Sequence, residues 1–289
     1  MNRDIIHDIR RYVLSRQSAG LDVAYRLEEP GSAVAQPDGA APISEREGAR
    51  PAREAAPSRP VDNGIAMLTS AEQPIRYTRD EQRVSQAGLF AEPETERFDL
   101  SGYDLASLER VVASCERCSL CAGRTRTVFG SGNPSSKIVF VGEAPGREED
   151  LQGLPFVGRA GQLLTKILAA MGLKRDDVYI TNILKCRPPE NRDPQEDEMR
   201  ACEPYLARQL DLISPAIICA LGRIAGHGLL KKGASLSVLR HGVHYYNDIK
   251  VAVTYHPAAL LRNPNLKRDA WEDFQAVKRL YDEAIGEDA

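Results

Sequence analysis

The sequence predicts a three-layer α/β/α fold, with a central parallel sheet of about four strands behind a largely disordered N-terminal extension. Three observations lead there. From about residue 105 onward, short apolar segments alternate with longer amphipathic ones. The short segments carry no polar face, which suits strands covered by helices on both sides. Residues 30–63, in contrast, hold six prolines and eight alanines and almost no large apolar residue. Such a composition buries too little surface to offset the entropy of ordering the chain.

Taken in order, residues 4–16 place Ile5, Ile6, Ile9 and Val13 at helical spacing, so residues 1–29 read as a short amphipathic helix and a polar segment. Residues 30–104 read as a disordered linker, because 64–100 stay polar and aperiodic. The folded domain is expected over 105–286. Leu105, Leu108, Val111 and Val112 share one helical face. KIVFVGE (137–143) is a strand, and GQLLTKILAAMG (161–172) is a helix stopped by Gly172. VYITNIL (178–184) is the next strand, and a helix follows over 195–213 with Pro204 as a point of strain. AIICALG (216–222) and IKVAVTYHP (249–257) are strands, a short helix runs towards Leu230, and residues 268–284 form the last helix. In such sheets ligands bind outside the carboxyl ends of the strands. The loops starting at Gly142, Thr181, Leu221 and Tyr255 are therefore the candidate site.

Composition narrows the function. The 289 residues carry 38 Lys+Arg against 41 Asp+Glu, a net charge of −3. No apolar run approaches the ~20 residues of a membrane span, and the first residues, MNRDIIHDIRR, are charged where a signal peptide is apolar. A cytoplasmic protein without membrane contact is expected. The charge is split: residues 1–109 carry a net −6 and residues 110–286 a net +5. A basic body is compatible with a nucleic-acid surface.

Six cysteines stand at 115, 118, 121, 186, 202 and 219. Cys219 lies inside an apolar strand and reads as core. Cys115, Cys118 and Cys121 are two residues apart, which lets two sulfurs converge on one centre, and Cys186 and Cys202 follow. Four thiolates gathered by the fold would hold an iron–sulfur cluster or a zinc ion. Spacing alone makes Cys121 as good a ligand as Cys118.

The loops carry the remaining signals. Gly142-Glu143-Ala144-Pro145-Gly146 leaves the first core strand as a tight turn that brings backbone close to whatever binds. Arg147, Glu148, Glu149 and Asp150 behind it read as a solvated face. Phe156, between turn residues, is either a stacking platform or a loop plug. Asn182 ends the second strand with a donor and an acceptor, suited to the edge of a base or amide. His256 stands at the same rim, where it can donate to a developing anion.

Together, CERC, GRTRTVFGSGNP, GEAPG, GLPFVGRAGQLL, YITNILKCRPPENRDP, Cys202, the LG at 221–222 and HPAALLRNP resemble the family 4 uracil-DNA glycosylases, the iron–sulfur branch of their superfamily. The resemblance covers residues 108–286, about three-fifths of the chain. It implies a [4Fe–4S] cluster on Cys115, Cys118, Cys186 and Cys202, structural in role, with Cys121 left out. It implies an enzyme of base-excision repair that flips uracil out of DNA and hydrolyses its N-glycosidic bond. Phe156 would stack on the base and Asn182 would read its edge. Glu143 would exclude the thymine methyl, with Gly142 and Ala144 beside it. His256 would donate to O2 of the departing uracil, making Glu143 and His256 the catalytic pair. Leu260 would fill the space the base leaves, and Arg262 would hold phosphate. Ala144 replaces the Asp that orients water in the first branch of the superfamily, and no basic, His-bearing insertion follows Cys186, so a covalent adduct with DNA is not expected. The competing reading is a catalytically inactive iron–sulfur module that only binds DNA. A monomer is expected, with the N-terminal extension as a docking point for a repair or replication protein.

Overall fold

The computed structural model describes residues 74–78 and 98–286. The amphipathic segment at 4–16 and most of the expected linker lie outside these residues.

Among the described residues, seven strands form one sheet: β1 (Arg76–Tyr77), β2 (Ser131–Gly132), β3 (Ile138–Gly142), β4 (Tyr179–Asn182), β5 (Ile217–Leu221), β6 (His244–Tyr246) and β7 (Ile249–Thr254). Their spatial order is β1-β6-β7-β5-β3-β4-β2. The four inner strands β7, β5, β3 and β4 are mutually parallel. They are the four strands that apolar patterning predicts. The sheet as a whole is mixed, because β2 and β6 pair antiparallel to β4 and β7 at its margins. β1 lies within the segment read as linker, and it pairs parallel to β6 with Tyr77 buried.

The helices are α1 (Leu105–Ala113), α2 (Arg147–Gln152), α3 (Arg159–Ala170), α4 (Glu196–Ile213), α5 (Arg223–Leu230), α6 (Leu236–Arg240), α7 (Pro257–Arg262) and α8 (Lys267–Gly286). Strand residues alternate between the two faces. Ile138, Phe140, Ile217 and Cys219 pack on one face against Leu164 and Leu168 of α3 and Phe274 and Val277 of α8. Val139, Val141, Ile218 and Ala220 pack on the other against Leu206 and Leu210 of α4 and Leu229 and Leu230 of α5. These two cores make the three layers.

A third apolar cluster sits beside them. Leu108 and Val112 of α1, Leu184, Tyr205, Cys186 and Cys202 form it, with Cys115 and Cys118 packed at its margin. α1 is started by Asp104, whose carboxylate accepts from the Ser107 amide at 2.8 Å. α4 is started by a reciprocal capping pair, Gln195 and Glu198, and continues through Pro204. No helix among the described residues is long and apolar enough to cross a membrane.

Candidate active site

The parallel register sets the ends of β3 and β4 side by side, with Gly142 opposite Asn182. β5 and β7 end side by side too, at Leu221 and Thr254. Two residues beyond β7, His256 caps α7. The chain leaves β3 for β4 on one side, whereas β5 lies on β3's other side, so the strand order reverses here and a crevice opens. The crevice is a cavity of about 300 Å³ lined by Glu143, Ala144, Glu149, Phe156, Asn182, Asn191, Arg192, Asp193, His256 and Arg262, among others.

Asn182 is 2% exposed. Its side-chain Oδ1 is a buried polar atom with no hydrogen-bond partner, the only one of its kind among the described residues. A buried acceptor left unmet costs roughly 1–3 kcal/mol, so an N–H brought to it by a ligand has a prepared place. Gly142 lets the two residues close over the end of β3. A Cβ there would stand 2.3 Å from Asn182 Oδ1 and 2.6 Å from Phe156 Cζ. The missing side chain lets an amide edge and an aromatic ring meet at the strand end, beside the cavity that both line. Phe156 holds a left-handed backbone, φ 53°, unusual for a bulky residue. Its ring centre lies 5.6 Å from that of His256.

His256 Nδ1 accepts the Ala258 amide at 3.1 Å. The neutral ring therefore carries its proton on Nε2. Burial pushes the imidazole down to about 4, and the Arg262 charge adds to the shift. Gly222, φ 95°, makes room behind it, since a Cβ there would sit 3.0 Å from His256 Cβ. Glu143 is pushed up by burial and by Asp193, against the pull of Arg223 and Arg262. Arg192 pairs with the buried Glu198, Nη1 to Oε2 at 2.9 Å, which lowers the Glu198 carboxyl.

Glu143, Ala144, Phe156, Asn182, His256 and Arg262 thus meet at one cavity, with Gly142 beneath it. Leu260 does not join them. It is 2% exposed and packs in the core beside α3 and α8, so it has no surface to offer DNA as it stands. Helical spacing explains this: in α7, Leu260 and Arg262 lie two residues apart and face opposite ways. The run after Gly146 is a solvated face only in part: Arg147 and Glu148 are exposed, and the other two are not. Asp150 is buried and accepts the Thr125 amide at 2.9 Å, and Glu149 accepts the amides of Val157 and Gly158. Asn191, Arg192 and Asp193 line the cavity without having been singled out. Their signal was their place in the loop leaving β4, where Glu190 and Asn191 are both left-handed, φ 54°.

Behind Asn182, Lys185 is fully buried. Its Nζ donates to Asn182 O at 2.8 Å, Thr181 Oγ1 at 2.7 Å and Gln209 Oε1 at 2.6 Å. Burial pushes this ammonium down to about 7. The next residue is Cys186, and the Lys185 amide donates to Cys202 Sγ at 3.3 Å. Arg124 Nη1 donates to Cys186 Sγ at 3.4 Å. Cys115 lies within electrostatic reach of Cys118, Cys186 and Cys202, as Cys186 does of Cys118 and Cys202, and Cys121 of Cys118. Burial raises the thiols of Cys118 and Cys186, and lifts Cys202 to about 12. Among the described residues no three His, Cys, Asp or Glu side chains stand close enough to hold one metal ion. The donor set nevertheless fits an iron–sulfur group: four thiols around one apolar cluster, with N–H groups aimed at two sulfurs. Ala144 packs against this cluster and also lines the cavity, so the two sites share a wall.

An α/β sheet with an unmet amide oxygen and an aromatic ring at one cavity, at its switch point, is suited to a flat ring that bears an N–H. Residues 129–275 match the family model of the uracil DNA glycosylase superfamily. The chain is 49% identical over 186 residues to a type-4 uracil-DNA glycosylase of Sulfurisphaera tokodaii, covering 60% of this chain and 84% of that one. It is 46% identical over 188 residues to the type-4 uracil-DNA glycosylase of Archaeoglobus fulgidus, covering 61% and 92%. It is 45% identical over 171 residues to that of Thermotoga maritima, covering 58% and 89%. The chain belongs to the uracil-DNA glycosylase superfamily, in its type-4 branch.

Proposed function

We propose that this protein hydrolyses the N-glycosidic bond of uracil in DNA, releasing uracil and leaving an abasic site. The observation that carries the reading is the orphaned Asn182 Oδ1, beside Phe156 at the cavity. Uracil presents N3–H to that oxygen. Cytosine presents a bare N3 there, lone pair against lone pair, and is refused. Inside a duplex the bond is out of reach, so the nucleotide is flipped into the cavity, at a cost of a few kcal/mol that is least for a mismatched base. Phe156 stacks on the flipped ring. Glu143, which lines the same cavity, excludes a C5 methyl. The exposed Arg262 holds phosphate.

Uracil departs as an anion. His256, neutral and with its proton on Nε2, donates to O2 as charge builds there, and such a donor is worth ~2.7–4 kcal/mol of barrier. Amides of the 142–146 turn add to it. Ala144 has no group to orient the water, which takes its orientation from Glu143 and the polar groups of the loop after β4. Cys115, Cys118, Cys186 and Cys202 would hold a [4Fe–4S] cluster. When bound, it supplies a cross-link between α1, the loop after β4, and α4. Three groups suited to binding and activating a base stand around one cavity, which speaks against an inactive binding module.

The test is a single-turnover assay on single-stranded and U:G duplex oligonucleotides, with alkali to cut abasic sites. Wild type is expected to cleave, and Asn182→Ala to lose at least about a hundredfold, or ~2.7 kcal/mol. No cleavage from brown, cluster-loaded protein would sink the reading.

A further inference from the structure

We infer that Arg175 and Glu149 are positioning residues that clamp the 155–158 turn from two sides and so hold Phe156 ready for the base before it arrives. The inference rests on the reading of Phe156 as the stacking platform.

Phe156 stands at φ 53°. For an aromatic residue with a Cβ this is a costly conformation, kept only where the surroundings enforce it. Here the enforcement can be named peptide by peptide. Arg175 Nη2 donates to Pro155 O at 2.8 Å, and Nη1 donates to Phe156 O at 3.1 Å. The peptide group between Phe156 and Val157 is held from the opposite pole as well, and so is the one after it. The amides of Val157 and Gly158 both donate to Glu149 Oε1, each at 2.9 Å. A cation thus takes two consecutive carbonyls, and an anion takes the two amides that follow. The guanidinium fork spans adjacent carbonyls because it is planar and presents parallel donors, which an ammonium cannot do.

The clamp is braced. Arg175 Nη1 also reaches Thr165 Oγ1 of α3 at 3.4 Å. Glu149 stands on α2, on the opposite side of the turn in sequence from Arg175. α3 meets the turn as well: a Cβ at Gly161 would stand 1.9 Å from Phe156 O, so the carbonyl rests against the helix where a side chain would otherwise be. The ring has partners of its own in the cavity, but nothing in a ring contact fixes a backbone dihedral. The charged pair does.

Freed from the clamp, Phe156 relaxes towards negative φ and its ring leaves its place beside His256 at the cavity. The binding-competent fraction of the enzyme falls, and apparent affinity falls by the same factor. Once substrate saturates the enzyme the chemistry is unaltered, so the loss belongs in half-saturation and not in the maximal rate.

The experiment uses full-length, cluster-loaded protein and a uracil-containing oligonucleotide under single-turnover conditions. Wild type, Arg175→Ala, Arg175→Lys, Phe156→Ala and the double variant Arg175→Ala/Phe156→Ala are compared. Arg175→Ala is expected to raise the half-saturating enzyme concentration about tenfold and leave the maximal rate within about twofold. Arg175→Lys restores at most part of this. The double variant is no worse than Phe156→Ala alone, since a clamp has no effect once the ring it holds is gone. Losses that multiply, or an Arg175→Ala enzyme identical to wild type, would overturn the inference. The Phe156 Cα chemical shift, which follows φ, provides a readout independent of activity. It is expected to move in Arg175→Ala, and an unmoved shift overturns the clamp too. If Arg175→Ala fails to fold, Arg175→Lys serves for the same comparisons. A wild type that does not cleave refutes the glycosylase reading, and the shift then decides the clamp alone.

Discussion

Gly142 is the residue on which the placing of Asn182 and Phe156 depends. A single methyl there would collide with Asn182 Oδ1 and Phe156 Cζ and push both side chains aside. Gly142→Ala is therefore expected to abolish uracil excision, by at least about a hundredfold in kcat/KM, with circular dichroism and cluster absorbance unchanged. His256 gives a pH prediction. Its folded value, about 4, lies below the ordinary histidine value of 6.5. Between these limits the unfolded chain binds the proton and the native state does not, so stability rises with pH across that window. Above pH 6.5 the group makes no difference. On acidification from 6.5 to 4, wild type should lose stability relative to His256→Gln, by an amount on the order of 3 kcal/mol, measured by denaturant titration at each pH. Nitrogen NMR at pH 7 should show a neutral ring protonated on Nε2. An imidazolium would remove the basis for leaving-group donation by a neutral ring. Asn182 and His256 were legible as rim residues because each follows an apolar strand. That Asn182 Oδ1 has no partner was not legible, since satisfaction depends on every atom around it.

At the scale of elements, α7 shows how a short helix divides its labour. Arg262 faces solvent and the cavity, while Leu260 enters the core. Leu260→Ala should destabilise the fold by about 2–5 kcal/mol and leave DNA affinity, corrected for the folded fraction, close to wild type. A large affinity loss at unchanged stability would restore Leu260 to the DNA surface. In α2, acidic residues that composition assigns to solvent instead bind backbone amides on neighbouring turns. Charge reads as exposure only when no unpaired N–H lies within reach. The four inner strands and the long helices were legible because their apolar patterning is sustained over several residues. β1, β2 and β6 are two or three residues long and carry no periodicity; partners across the sheet make them strands.

The whole molecule joins two sites through one loop. β4 ends at Asn182, Lys185 ties that residue's carbonyl to Thr181 and Gln209, and Cys186 begins the cysteine cluster next door. A cross-link among Cys115, Cys118, Cys186 and Cys202 would brace α1 and α4 against the floor of the cavity. Removing iron with a chelator, or making Cys202→Ser, is expected to bleach absorbance near 400 nm. It should also lower Tm by more than about 5 °C, a loss of a few kcal/mol in a domain of this size. Bleached protein with an unchanged Tm would show that the group carries no structural burden.

By itself the sequence determined the layering, the inner parallel strands and the strand-end loops, and it named Glu143, Ala144, Phe156, Asn182, His256 and Arg262 among the residues that line the cavity. It could do so because periodicity and turn chemistry are local, and the α/β architecture sends ligands to strand ends. Only the tertiary structure decided the rest. Register across β3 and β4 set Gly142 against Asn182, and packing turned Leu260 inward. Arg175 and Glu149, 19 and seven residues from Phe156 along the chain, were brought to grip its turn from both sides. Contacts across such distances depend on how elements dock, and no spacing within a single element encodes them.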